Sequence, residues 1–328
     1  MQNVREEITN RIIEALEAGT PPWRQGWAAM AAHFNASTNK PYQGINQILL
    51  GMSGFSEDPR WLTIRQANAM KSEAHPDGLR IRKGEKSSMI VRLVEVEKSH
   101  ASKEAGEGEV VAEDARRRLV MKTFRVFNGS QIEGMEPFPK PVRTLEPNAA
   151  VEHIIDGLKA DGLVLLHGGD TACYMPKLDT IRMPDSGAFV SSDDFHSTLL
   201  HEAAHATGAK KRLDRFGLFN RLSSAEARAR EELSAEIASM LLGSSLGVAQ
   251  SQYHEANHHA YIGSWIQALK SDKNEIFKAA GAAQHIADWL TSHAISPAIN
   301  QTVSVIPEIP AVEIENVEPV APRRKMRM

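Results

Sequence analysis

The sequence predicts an α+β protein in two parts: an N-terminal mixed α/β domain, then a mostly helical domain with a small sheet. Three observations carry that expectation. Runs rich in Val, Ile and Phe at 79–83, 87–96 and 119–127 stand among short helical segments in the first half. Pro137, Pro139, Pro141 and Pro147 crowd one stretch, which reads as a linker over 136–147. From about 193 to 294 the chain keeps a helical period almost without a break. The expected units are therefore 1–135, 148–295 and a tail, 296–328, that has no helical period and is expected to be disordered.

Each element has a local reason. Val4, Ile8, Ile12, Ala15 and Leu16 recur at helical spacing over 3–18, and Gly19-Thr20-Pro21-Pro22 stops that helix. A short helix is expected at 44–52, and another at about 63–74, capped by Thr63. The segment 97–118, between the second and third strand runs, is rich in Glu, Gly, Ala and Arg and reads as an exposed insertion. Beyond the linker the pattern gives a helix at 147–161 and short strands near 163–167, 172–175 and 179–183. Ser223 and Glu226 have capping-box spacing at the start of a long helix.

Composition narrows the function classes. A chain of 328 residues suits two domains of ordinary size. The one cysteine, Cys173, excludes an internal disulfide and a cysteine-based metal cage, and it fits a reducing compartment. Residues 1–18 are charged and amphipathic, so no signal peptide is expected, and no stretch is apolar enough to span a bilayer. A cytoplasmic location follows as the expectation. The formal net charge of -3 divides into roughly +3 over 1–145 and roughly -6 over the remainder, so the first half is mildly basic and suited to phosphates.

The chemistry is written in His201-Glu202-Ala203-Ala204-His205. Residues four apart on a helix lie one above the other, so the two imidazoles can meet one metal ion. Glu202, one step away, can reach a water beside that ion and take its proton, then return it to a leaving amine. Small residues at 203 and 204 leave room beside the ion. A catalytic zinc site needs a third protein ligand and an open position. Glu231-Glu232-Leu233-Ser234-Ala235-Glu236 can supply it, with Glu232 as ligand and Glu236, on the same face, accepting from a ligand imidazole N–H. Glu231, on a different face, is the alternative ligand. A donor for the oxyanion is also required, and Tyr253, His254, His258, His259 and Tyr261 are the candidates downstream. His and carboxylate donors suit Zn2+ or another divalent ion such as Mn2+.

In the first half, aromatic and basic residues interleave: Trp23, Arg24, Trp27, Lys40, Tyr42, Arg60, Trp61, Arg82, Lys83 and Lys86. Rings that stack on bases and cations that follow a backbone are what single-stranded DNA requires, and no base-reading motif is visible, so sequence-nonspecific binding is expected. The same rings would also serve a core, and the residues alone leave both uses open.

Together these motifs resemble the ArdC antirestriction family. In the first half the resemblance rests on the run from Ile12 to Arg24, on Asn35 to Asn46, on Arg60-Trp61-Leu62-Thr63, on Arg82-Lys83-Gly84-Glu85-Lys86 and on Val126-Phe127-Asn128. In the second half it rests on Gly168-Gly169-Asp170, Ala172-Cys173-Tyr174, Asp179 to Pro184, Thr198 to His205, Arg212-Leu213, Glu231 to Glu236 and Tyr261 to Trp265. It spans most of 5–292 in motif order; the insertion 97–118 and the tail lie outside it. The resemblance implies a single-stranded-DNA-binding domain of the kind found in plasmid conjugation primases, followed by a zincin-like metallopeptidase domain. It implies a plasmid or phage protein that shields incoming DNA from restriction enzymes. Three readings remain: a DNA-binding antirestriction protein; an active metalloprotease, recruited to DNA, that cleaves a restriction enzyme or other DNA-bound protein; or a DNA coat whose metal is structural.

Overall fold

The apolar stripe that predicts the first helix is where the fold begins. In the computed structural model α1 (Val4–Glu17) buries Ile8, Ile12, Ile13 and Leu16. The structure describes residues 4–19, 21–24, 32–55, 57–71, 75–97, 117–139, 149–215, 225–249 and 255–294. Trp27, Tyr253, His254, Ser223, most of the expected insertion and connector, and the whole expected tail therefore lie outside the described residues.

The first half is built on a five-stranded sheet. Its strands are β1 (Phe34–Asn35), β2 (Lys40–Pro41), β3 (Arg60–Leu62), β5 (Ser88–Glu97) and β6 (Arg117–Asn128), in the order β2-β1-β3-β6-β5. Only β1 and β3 run parallel. The β5–β6 ribbon dominates, in register from Ser88 opposite Val126 to Glu97 opposite Arg117. A separate pair joins β4 (Arg80–Ile81) to β7 (Ile132–Glu133). Helix α3 (Ile64–Ala69) starts where expected, because Thr63 and Gln66 form a reciprocal capping box, but it ends at Ala69, five residues before the expected end.

Helix α2 (Ile45–Gly51) lies along the outer edge of β5. The Asn46 side chain donates to the Val91 carbonyl and accepts from the Val91 N–H, both at 2.8 Å, so an amide occupies backbone groups that an edge strand otherwise leaves open. Gly44, at φ +53, precedes this helix at a close backbone approach of a different kind: a Cβ there would meet the carbonyl oxygen of Ala280, in the second half, at 3.3 Å.

The second half opens with α4 (Ala149–Ala160) and a three-stranded sheet of β8 (Val164–His167), β9 (Cys173–Met175) and β10 (Thr180–Met183). The order is β8-β10-β9, which leaves β9 at an edge. Four helices follow: α5 (Ser192–Ala206), α6 (Ala225–Leu246), α7 (Glu255–Ser271) and α8 (Glu275–Ser292). Helix α5 is capped by Ser191, which accepts from the Asp194 N–H at 3.1 Å. Every residue of α6 from Leu233 to Ser244 is buried, as befits a helix enclosed on all sides.

The architecture is α+β, as the patterning implied. One core runs through both halves: α1 and Trp23 are buried with residues of α4 to α8. Trp23 meets Trp265 edge-to-face at 5.5 Å, and the Trp265 Nε1–H donates to the Ala229 carbonyl at 2.8 Å. Polar clasps add to this, with Arg5 donating to Asn274 at 2.6 Å and Thr9 to the Lys273 carbonyl at 2.9 Å. Among the described residues, no helix is long and apolar enough to cross a membrane.

Candidate metal centre

Helix α5 brings the two imidazoles together as the spacing requires. Their Nε2 atoms are 3.1 Å apart. From α6, Glu232 Oε2 lies 3.5 Å from each of them. In a tetrahedral site with bonds of about 2 Å, neighbouring donor atoms are roughly 3.3 Å apart. The three donors therefore already stand close to the separations that one divalent ion imposes. Ala203 and Ala204 are fully buried in the core to which α5 and α6 both contribute. The donors are not sealed in: the Glu232 side chain keeps 25% exposure and the His205 side chain 13%.

The outward nitrogens are also engaged. His201 Nδ1 lies 3.2 Å from Glu236 Oε1, the partner expected from sequence. His205 Nδ1 lies 3.3 Å from Glu231 Oε1. Glu231 thus stands behind His205 rather than among the converging donors, and the alternative ligand has a different place. Arg215 grips Glu231 through Nη1 at 2.6 and 2.8 Å, while its Nη2 donates to the Ala204 carbonyl at 2.7 Å and the Thr207 hydroxyl at 3.0 Å. Arg215 was missed from sequence. It lies in a turn beyond α5, and no spacing rule links a turn arginine to a carboxylate on the next helix.

Four carboxylates, from Glu202, Glu231, Glu232 and Glu236, surround the two imidazoles. Burial alone would lower both histidine pKa values. Instead Glu232 and Glu236 hold His201 well above the ordinary range, and Glu232 and Glu231 raise His205 to about 9. Burial would likewise raise Glu232, but the two imidazoles hold it below the usual carboxylate range. The cluster favours positive charge at its centre, and a divalent cation satisfies that preference as protons do.

Glu202 is 5% exposed and accepts from the Tyr174 main-chain N–H at 2.7 Å, on the outer side of β9. The Tyr174 hydroxyl donates to Asp179 at 2.8 Å, and Arg212 grips Asp179 at 2.7 and 3.0 Å. Burial would raise the Asp179 carboxyl, but Arg212, Lys211 and Tyr174 pull it down to about 2. Among the expected oxyanion donors, the Tyr261 side chain is described and half-buried; burial and the Glu232 charge both raise its pKa. His258 and His259 lie on α7.

The residues expected to touch DNA divide sharply. Trp23 and Trp61 are completely enclosed, so neither ring has a face open to a base. Arg60 is 7% exposed and bound to Asp58 at 2.7 Å, beside Phe138. Tyr42 is half-buried against the Trp61 cluster. Lys40, Arg82, Lys83 and Lys86 are exposed. Arg24 ends a 3-10 turn that starts at Pro22.

Comparison with known proteins adds to this geometry. Residues 2–127 match the family described as the N-terminal domain of anti-restriction factor ArdC, and residues 149–282 match a zincin-like metallopeptidase family. Two DNA primases named TraC, from Escherichia coli, are 38% and 39% identical over 91% and 87% of this chain. The chain spans only 29% and 20% of those primases. A Sinorhizobium fredii protein, y4eC, described as uncharacterized, is 33% identical and covered over 91% of its length. Two crystal structures of antirestriction ArdC from plasmid R388 superpose on this chain. The metal-free form gives a TM-score of 0.71 at 33% identity, over 89% of this chain and 98% of that one. The Mn(II)-bound form gives 0.68 at 32% identity, over 90% and 99%.

Proposed function

The chain belongs to the ArdC antirestriction family, and from that membership we propose that it protects incoming mobile DNA, binding single strands through its first half and carrying a metal-dependent, peptidase-like site in its second. The observation that carries the reading is the convergence of His201, His205 and Glu232, with Glu202 fixed beside them. The division we propose is a DNA-binding unit over 1–135, a connector over 136–147 and a zincin-like unit over 148–295, in the cytoplasm.

In this reading His201, His205 and Glu232 hold the ion, while Glu236 and Glu231 orient the two imidazoles through Nδ1. Zinc and manganese are the candidate ions, since two imidazoles and a carboxylate serve either. A divalent ion held there would act as a Lewis acid, polarising a carbonyl and acidifying a water. Glu202 is the base. Its Oε2 is committed to the Tyr174 N–H, which fixes the carboxylate and leaves Oε1 to accept and return a proton. Tyr261 is the hydroxyl proposed to donate to a developing oxyanion. A purely structural metal is the less favoured reading, because the exposure of Glu232 and His205 keeps the donor side open.

The test is Glu202→Gln in a DNA-transfer assay against a restricting recipient, with metal content measured in parallel. Retained metal with lost protection supports a chemically active site. Retained metal with undiminished protection would leave the base without a role in antirestriction.

A further inference from the structure

The first half contains a cleft that the metal centre does not explain. It measures about 570 Å³ and lies between α1, the C-terminal end of α2, β6 and the turn that leads from Gly84 into β5. Clefts that bind small ligands measure roughly 300–1,000 Å³. Arg11, Lys86 and Arg125 all line it. Among the described residues, none of these three cationic side chains has an ion-pair or hydrogen-bond partner. Of the two carboxylates on the rim, Glu85 is engaged by Gln131 at 2.9 Å and by Arg82 at 3.4 Å. Glu7 is the other, so three uncommitted cations face one uncommitted anion.

The walls are preformed. Gly84, at φ +91, allows the turn that presents Lys86. The Gln131 side chain donates to the Lys86 carbonyl at 2.9 Å, and the Arg82 guanidinium reaches the Ser130 carbonyl. Phe55 forms an apolar wall, its ring set edge-on against Trp61 at 5.8 Å. An aromatic side chain beside unsatisfied cations supplies what a base and its phosphate require, apolar contact and counter-charge.

We propose that this cleft seats a nucleotide of single-stranded DNA, with Arg11, Lys86 and Arg125 on the phosphates and Phe55 against the base. The assignment rests on the single-strand reading given above and says where on the first half the strand sits. It replaces the enclosed Trp23 and Trp61 with residues that a ligand can reach. A free nucleotide shares the same chemistry; the strand is favoured because the three cations come from three separate elements, α1, the turn into β5 and β6, rather than from one compact phosphate-binding loop.

The experiment uses the full chain and a fluorescein-labelled oligothymidylate, with anisotropy followed over a series of salt concentrations. Lys86→Ala with Arg125→Ala changes two exposed side chains, and thermal melting should stay as in the parent. The double variant should weaken binding about tenfold or more and flatten the dependence of log K on log salt by about 1.4, as for two lost phosphate contacts. Lys159→Ala with Lys177→Ala, outside the cleft, should leave both unchanged. Parent-like affinity and slope in the cleft variant, with the parent binding normally, would overturn the assignment while sparing the single-strand reading. A parent that binds no strand at low salt would remove both. Displacement of the oligonucleotide by thymidine monophosphate at equal concentration would give the cleft to a free nucleotide and likewise overturn the proposal.

Discussion

The Tyr174 main-chain N–H donates to Glu202 Oε2 at 2.7 Å, tying the edge strand of the small sheet to the acidic residue between the two imidazoles. Glutamine at 202 keeps a carbonyl oxygen for this bond; alanine removes the acceptor. Glu202→Ala should therefore be less stable than Glu202→Gln by about 1–3 kcal/mol in urea unfolding. Equal stability in the two would deny the bond a structural part.

Metal binding should grade with distance from the ion. His205→Ala should abolish stoichiometric metal uptake. Glu236→Gln should weaken affinity about 10- to 100-fold with the fold intact, because the imidazole of His201 loses an orienting charge. Competition with a chelator measures both, and an unchanged affinity in Glu236→Gln would count against its orienting role.

Arg215 and Glu231 form a charge pair whose side chains are only 15% and 12% exposed. Arg215→Met strands the carboxylate beside His205 and should cost about 3 kcal/mol of stability. Adding Glu231→Gln removes the stranded charge and should recover most of that loss. Calorimetric melting of the single and double variants decides it: additive losses would mean the two side chains act independently.

His33 carries a pH signature away from the metal. It is buried, its Nδ1 accepts from the Trp61 indole N–H at 3.1 Å, and burial lowers its pKa from 6.5 to about 4. A depressed folded-state pKa gives stability that is full above the unfolded value of 6.5 and is lost as pH falls through about 4. The loss should reach about 3 kcal/mol. His33→Gln should remove this component of the acid sensitivity; identical stability–pH curves for parent and variant would contradict it.

If Tyr261 donates to an oxyanion, Tyr261→Phe should lower turnover about 10²-fold or more while metal content stays constant. The readout is peptide hydrolysis at saturating metal, and a parent-like rate would withdraw the assignment.

Much of this was legible in the sequence. The i, i+4 histidines lie on one helix, so their convergence is local geometry that spacing alone can forecast. Glu232 could be proposed because it lies in the acidic run 26 to 31 residues beyond His205 and shares a helix face with Glu236. The link from Arg215 to Glu231 was not legible, since it depends on how a turn folds back over the end of α5. Nor could composition tell a stacking tryptophan from a core one. Trp23 and Trp61 are apolar bodies with one polar atom, and three-dimensional enclosure decides their use. Arg11 and Arg125 carry no sequence signal because they stand far apart in the chain, and only the fold brings both to the cleft.

Helix α1 is encoded at the start of the first half, yet Ile8, Ile12 and Trp23 are seated among the helices of the second half. Severing the chain at the proline-rich stretch would strip that seat away and leave an adhesive fragment prone to self-association. Each half is the other's shield from solvent, so a destabilising lesion in one should be felt as insolubility of the other.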